Sequence, residues 1–313
     1  MAKPRLLNMS GKIVHYEDAR VHVLSTAMKY AASVYEAMRA YWSDADQQLY
    51  VFRLREHLRR LERSAKIARI PLPADAARLE RETLEIIRAN GLREDLHVRL
   101  IVFVDTDDGG LASREPVGYV IAPIPTTRYF ETAGLHVGVS SWHRTADNAI
   151  PARVKAAANY QNSRLALLQA KTDGYDDAIM LNQDGSVAEG PGYTLFLVRD
   201  DQAMTPSVTS NILEGVTRST LLTLFPESLG VTVEQREIDR TELYVADEAF
   251  FAGTAAEVTP ILSIDRRPVG EGVMGPLTTK VRDAYFRAVR DGSAPHPEWR
   301  LPVYGGHAGG RDR

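Results

Sequence analysis

Apolar residues in "LREHLRRLERSAKIARI" (54–70) and "ADAARLERETLEIIRAN" (74–90) recur at helical spacing, with arginines and glutamates between them. Both segments read as amphipathic helices. "LHVRLIVFVD" (96–105) and "VGYVIAPIP" (117–125) carry instead the dense β-branched runs of strands. Together they predict an α+β N-terminal domain over residues 1–122. Pro123, Pro125 and the polar "TTRYFETAG" break the pattern, which predicts an interdomain linker over 123–134. Strands resume at "LHVGVSSW" (135–142), "DAIMLN" (177–182), "YTLFLVRD" (193–200), "VTVEQREI" (231–238) and "EAFFAG" (248–253). They outnumber the helices expected near 160–173, 216–225 and 276–291, so a larger, β-rich domain is predicted over 135–300. The tail 301–313, ending "YGGHAGGRDR", is expected to be disordered. There is no tandem repeat, and the fold class is α/β, in an α+β arrangement of two domains.

Composition narrows the function classes. A chain of 313 residues, 44% hydrophobic and 25% charged, suits a soluble globular protein. A formal net charge of −3 gives no reason to expect nucleic acid or an anionic membrane as partner, which leaves small molecules and other subunits. Without cysteine there is no disulfide, thiolate metal site or cysteine nucleophile, and no metal is expected. The N-terminal stretch lacks the apolar core of a signal peptide, and no apolar run reaches the roughly 18 residues of a membrane span. A cytoplasmic location is the expectation.

Five features carry chemistry. Lys155 is one of seven lysines and stands in "PARVKAAANYQNSRLA", ahead of a run of small residues. A lysine is ordinarily solvated. Small neighbours also let another group approach the amine closely, as a Schiff-base lysine requires. Glu189 precedes Gly190-Pro191-Gly192 in "GSVAEGPGYTLFLV". It is either a surface turn residue or a carboxylate facing a pyridine nitrogen, keeping that nitrogen protonated. In "ILEGVTRSTLLTL" a Gly-Val-Thr step opens a helix, which makes either a plain cap or a phosphate site built from the backbone of Val216 and Thr217. Gly253-Thr254-Ala255 ends an apolar strand, as a turn or as an oxyanion holder. Arg60 in "EHLRRLERSA" is either a surface salt-bridge partner or a phosphate ligand.

The order and spacing of "FRLREHLRRL", "VRLIVF", "VKAAANY", "AEGPGYTLF", "LEGVTR" and "AGTAAEVTP" resemble those of the fold type IV (class IV) pyridoxal-phosphate-dependent aminotransferases, the group with the D-amino acid aminotransferase-like fold. The likeness spans "YEDARVHVLS" to "GPLTTKVRDAYF" and is greatest to the branched-chain amino acid aminotransferases. It implies that Lys155 binds pyridoxal 5′-phosphate covalently and shuttles the proton between Cα and C4′. It further implies that Tyr160 faces the cofactor phenolic oxygen and Glu189 the ring nitrogen. Arg60, Val216, Thr217 and Thr254 would hold the phosphate. Tyr30, Tyr35, Arg39, Arg99 and Tyr129 would surround the substrate, with Thr254 and Ala255 on its carboxylate. The implied reaction moves an amino group between a branched-chain L-amino acid and a 2-oxo acid such as 2-oxoglutarate. A homodimer is also implied, with Tyr30 or the 105–112 loop reaching the neighbour's pocket.

Departures from the pattern keep other readings open. Tyr35 and Ala37 stand where Phe and Gly are usual, and His97 replaces a common Tyr. "GPGYTLF" also suits an (R)-selective amine or D-amino acid aminotransferase. An aminodeoxychorismate lyase, or a phosphate-binding carrier of the cofactor without turnover, are further alternatives.

Overall fold

The computed structural model describes residues 3–126, 130 and 133–305. A seven-stranded sheet comes first, in the order Arg300–Pro302, Gln48–Phe52, Ser33–Ser43, Leu96–Val104, Val117–Pro125, Leu6–Met9 and Lys12–His15. Helices Leu54–Ala68 and Ala76–Asn90 lie beside it. The apolar stripe Leu54, Leu58, Leu61 and Ala65 repeats at three- and four-residue steps, and it joins Met38, Val98, Leu100 and Val102 in one buried cluster. The second helix begins where the Asp75 side chain accepts from Arg78 N, and it ends at Gly91, whose φ of +67° suits a residue without Cβ.

The predicted linker begins too early. Strand Val117–Pro125 runs through Pro123 and Pro125 opposite Val98 and Leu96, and its pairing with Leu6–Met9 stops at Ile121. Beyond that point the strand has a neighbour on one side only, where a missing N–H is tolerated. The expected tail also begins too early. Leu301 and Pro302 pair with Val51 and Tyr50, and Val303 is buried with its N–H on Leu49 O. Residues 306–313 lie outside the described residues.

The second sheet has nine strands. Eight run in the order Val233–Arg236, Gln202–Pro206, Thr194–Arg199, Glu248–Gly253, Glu257–Ile264, Leu135–Val139, Asp177–Leu181 and Val187–Glu189, and Arg267–Pro268 pairs with Glu257–Ile264. Its central strands are buried on both faces, so they read as continuous apolar runs. In Glu248–Gly253, Phe250 stacks on Phe196 with centroids 5.1 Å apart, beneath helices Val216–Leu224 and Pro276–Arg290. Phe251 points the other way, into the cluster of Leu195, Leu197 and Ile261.

The two sheets meet through side chains. Tyr41 Oη lies 3.1 Å from Tyr285 Oη, and Phe52 meets Tyr285 and Trp299 edge-on. The Arg290 guanidinium is bidentate on Asp95, at 3.0 and 2.5 Å. The cavity described next lies between the sheets.

Candidate active site

The segment carrying Lys155 is fastened to the start of strand Ser33–Ser43, a stretch of that interior strand that Gln48–Phe52 leaves unpaired. Tyr35 N–H donates to Lys155 O at 2.9 Å, Ala157 N–H donates to Ser33 O, and Lys155 N–H donates to Ser64 Oγ at 3.1 Å. Asn159 closes the turn by donating to Val154 O and Pro151 O. Ala156 adds an antiparallel backbone bridge to Val34. Lys155 is only 8% exposed, and Nζ donates to Tyr160 Oη at 2.6 Å. The ammonium also lies 4.8 and 5.0 Å from the ring centroids of Tyr35 and Tyr160. Burial alone would push the Tyr160 phenol up, but the Lys155 charge and hydrogen bond outweigh it and hold the phenol below its ordinary value. With the lysine backbone fixed, only the four-carbon stem can move the amine, and the bond to Tyr160 Oη holds it here.

Glu189 ends strand Val187–Glu189 and is buried. Arg144 Nη2 lies 2.7 Å from Glu189 Oε1, and Leu213 N–H donates to both carboxylate oxygens at 3.2 Å. Burial raises the carboxyl above its usual range; Arg144 and the amide pull it partly back. No sequence pattern marks Arg144, which follows a loop rather than a periodic element.

Arg60, on helix Leu54–Ala68, faces the cavity while its guanidinium is gripped from behind. Nε and Nη2 donate to the two oxygens of Glu36 at 2.7 and 2.8 Å, and Nη1 donates to Glu214 O at 3.0 Å. His57, one turn earlier, lies 2.7 Å from Glu36 through Nδ1. Glu36 is fully buried; burial opposes its ionisation, but Arg60 and His57 hold it far below the carboxylate range. Burial keeps His57 below its ordinary value and thus neutral at pH 7. Glu36 escaped notice in the sequence, although a carboxylate inside an otherwise buried strand is itself a signal.

Val216 and Thr217 form the first turn of helix Val216–Leu224, whose N-cap Gly215 offers no side-chain cap, so the first N–H groups are open to a ligand. They line the cavity with Thr254 and Ala255. At the adjoining Gly253, a Cβ would stand 3.2 Å from the Tyr193 ring and 3.3 Å from Gly192 O.

The first sheet supplies the opposite wall through Tyr35, Ala37, His97 and Arg99. Arg99 Nη2 meets His97 Nε2 at 3.3 Å, and its guanidinium lies 5.3 Å from the Tyr35 ring centroid. Burial and then the Arg99 charge bring the His97 imidazole down to about 3, so the ring is neutral at pH 7. Two expected residues stand apart from this cavity. Arg39 is in ion pairs with Asp95 at 3.7 Å and Glu257 at 3.6 Å, and Tyr30 is 47% exposed on helix Thr26–Tyr30. Tyr129 lies outside the described residues.

The cavity measures about 410 Å³. It offers what pyridoxal 5′-phosphate requires of a site: a primary amine, a buried carboxylate, and a helix N-terminus beside an arginine. Among the described residues no cluster of carboxylates and histidines could hold a metal, and no helix is long and apolar enough to cross a membrane.

Comparison with known proteins shows the family. The family model for amino-transferase class IV matches residues 33–264. A probable branched-chain-amino-acid aminotransferase of Aquifex aeolicus is 41% identical over 94% of this chain and 95% of its own. The crystal structure of a branched-chain aminotransferase from Thermoproteus uzoniensis with norvaline superposes with a TM-score of 0.91. It is 41% identical, over 96% of this chain and 99% of its own. The holo, PLP-form structure of the Thermobaculum terrenum branched-chain enzyme gives a TM-score of 0.91 at 38% identity, over 97% and 100%. The chain belongs to the class IV aminotransferases, enzymes that work with pyridoxal 5′-phosphate.

Proposed function

We propose that the protein transfers the amino group of a branched-chain L-amino acid to a 2-oxo acid, 2-oxoglutarate being the natural acceptor, with Lys155 as the catalytic residue. The observation that carries this reading is the buried Lys155 Nζ, held by Tyr160 Oη at 2.6 Å in a cavity that also contains Glu189. Bound pyridoxal 5′-phosphate supplies a carbonyl carbon for the amino group and a ring that accepts the electron pair left when Cα loses its proton. With that group bound, Lys155 would be the base that takes the proton from Cα and the acid that returns it to C4′. Tyr160 orients that amine, and Glu189, steadied by Arg144, would share a proton with the ring nitrogen. The first-turn amides of Val216 and Thr217, the Thr254 hydroxyl and Arg60 receive the phosphate. Thr254 and Ala255 amides receive the substrate carboxylate.

Two substrates must fit one pocket. Tyr35, Ala37 and Tyr193 offer an apolar wall to a branched side chain. Arg99 has only neutral His97 as its hydrogen-bond partner among the described residues, which leaves it ready for the second carboxylate of a dicarboxylic acceptor. We also propose a homodimer of two-domain subunits. Val23, Leu24, Met28, Tyr30 and Leu111 are exposed apolar side chains, and Lys29 Nζ ties their two segments together on Gly109 O at 2.8 Å.

The test is a donor panel of L-leucine, L-valine, D-alanine and (R)-1-phenylethylamine, followed through both half-reactions. L-leucine and L-valine should react fastest. A preference for D-alanine or the amine would overturn the substrate class, and a cofactor spectrum unmoved by every donor would overturn transamination.

A further inference from the structure

A second cavity of about 640 Å³ lies behind the first, sharing Arg60, Gly215 and Val216 as a common wall. Besides Arg60, six cations line it: Arg53, Arg59, Arg63, Lys66, Arg153 and Arg218. Among the lining residues only Glu56 and Glu214 are carboxylates, and from outside the lining Asp147 reaches Arg153 at 3.5 Å. Both carboxylates are already engaged. Glu56 lies 3.4 Å from Arg53 and from Arg59, and Glu214 lies 3.0 Å from Arg153.

What remains, at Arg63, Lys66 and Arg218, is positive charge without an ion-pair partner among the described residues. Among the described residues, Arg63 and Lys66 have no carboxylate within salt-bridge distance. Arg218, 4% exposed, donates only to neutral acceptors, Pro206 O at 2.9 Å and Gln235 Oε1 at 3.0 Å. Its Nε, like that of the nearly buried Arg53, has no hydrogen-bond acceptor. Burying a guanidinium without an anion is costly. A chain with a net charge of −3 does not gather such a cluster as part of a general positive surface.

We propose that this second cavity is a binding site for a small polyphosphate, distinct from the cofactor's own phosphate position. Arginine forks match phosphate oxygens in pairs, and the exposed ends of Arg63 and Lys66 stand where such a ligand would enter. Because Arg60 and the Gly215–Val216 turn form the common wall, the two anions would sit on opposite sides of one helix start.

Calorimetric titration of the cofactor-loaded protein with sodium tripolyphosphate and, separately, with ATP tests this. Saturable binding is expected, weakening as salt rises, with the cofactor's visible absorbance unchanged. The double variant Arg63→Glu/Lys66→Glu, whose two side chains are exposed, should lose roughly a hundredfold in affinity while keeping its transamination rate. The milder Arg63→Gln/Lys66→Gln should lose affinity in the same direction. Equal affinities for the two probes assign recognition to the phosphate chain; tighter ATP binding adds the nucleoside. Absence of saturable heat, binding unchanged in the variants, or loss of cofactor absorbance during the titration would each overturn the proposal.

Discussion

Lys155 Nζ donates to Tyr160 Oη at 2.6 Å, and the two residues are five apart, on either side of the start of helix Asn159–Thr172. The lysine backbone is pinned by Tyr35 and Ser64, so the bond fixes the remaining freedom of the side chain. Tyr160→Phe should therefore leave cofactor affinity nearly intact while reducing turnover roughly a hundredfold. The pH midpoint of the cofactor's visible band should move as well. A Tyr160 that merely fills space would leave that midpoint unchanged.

Lys155→Ala removes the amine on which the proposed chemistry rests. Turnover should fall by several powers of ten while the cofactor still binds through its phosphate. Borohydride reduction of the native protein should fix the cofactor on the peptide bearing Lys155, and the variant should release it on dialysis. Label on Lys171 or Lys280 would refute the assignment.

Glu189 and Arg144 form a buried pair at 2.7 Å, so removing one partner strands the other. Glu189→Gln and Arg144→Met should each cost about 3–5 kcal/mol in urea unfolding of the cofactor-free protein. The double variant should cost clearly less than the sum. Additive losses would mean that the pair is not coupled.

His97 links stability to pH. Its folded value of about 3 lies below the unfolded value near 6.5, so the unfolded chain binds the extra proton. The contribution to stability is complete above roughly pH 6.5 and is lost as pH falls from there toward 3. His97→Asn should flatten the decline of the urea midpoint between pH 7 and pH 5. A decline as steep as in the native protein would count against the buried neutral imidazole.

Trp299 holds the closing strand in place. Its ring stacks on His296 with centroids 4.0 Å apart, lies 4.8 Å from the Arg53 guanidinium, and meets Phe52 edge-on. Trp299→Ala should cost about 3–5 kcal/mol. Thermal unfolding would register this as a lower midpoint, and an unshifted midpoint would refute it.

Amphipathic and continuous apolar patterns in the sequence located the helices Leu54–Ala68, Ala76–Asn90 and Pro276–Arg290 and the strands around 96–104, 194–199 and 248–253. Strands Ser33–Ser43, Gln48–Phe52, Gln202–Pro206 and Glu257–Ile264 went unread. Glu36, Arg39, Gln48, Thr205 and Glu257 interrupt their apolar character and are nevertheless buried. Each interruption answers to a partner outside its own strand, as Glu36 does to Arg60, Arg39 to Asp95 and Thr205 to Leu195 O. Such pairing cannot be read from local periodicity. Motif order singled out Lys155, Tyr160, Glu189 and the Gly-Val-Thr turn, and the fold brings all of them to one cavity. The residues that hold those groups from behind, Arg144 and Glu36, carry no local spacing and emerge only in three dimensions.

The pairing of Arg300–Pro302 with Gln48–Phe52 has a consequence for biosynthesis. During translation the Gln48–Phe52 edge emerges early and stays open until Arg300–Pro302, roughly 250 residues later, has left the ribosome. For that interval it is an exposed template for intermolecular association, and a chaperone would find its client there. Aromatic closure by Trp299 and the bond from Val303 N–H to Leu49 O come only at the last step. A fusion partner joined directly after Pro302 would obstruct that step. One joined beyond Gly305 would leave it free.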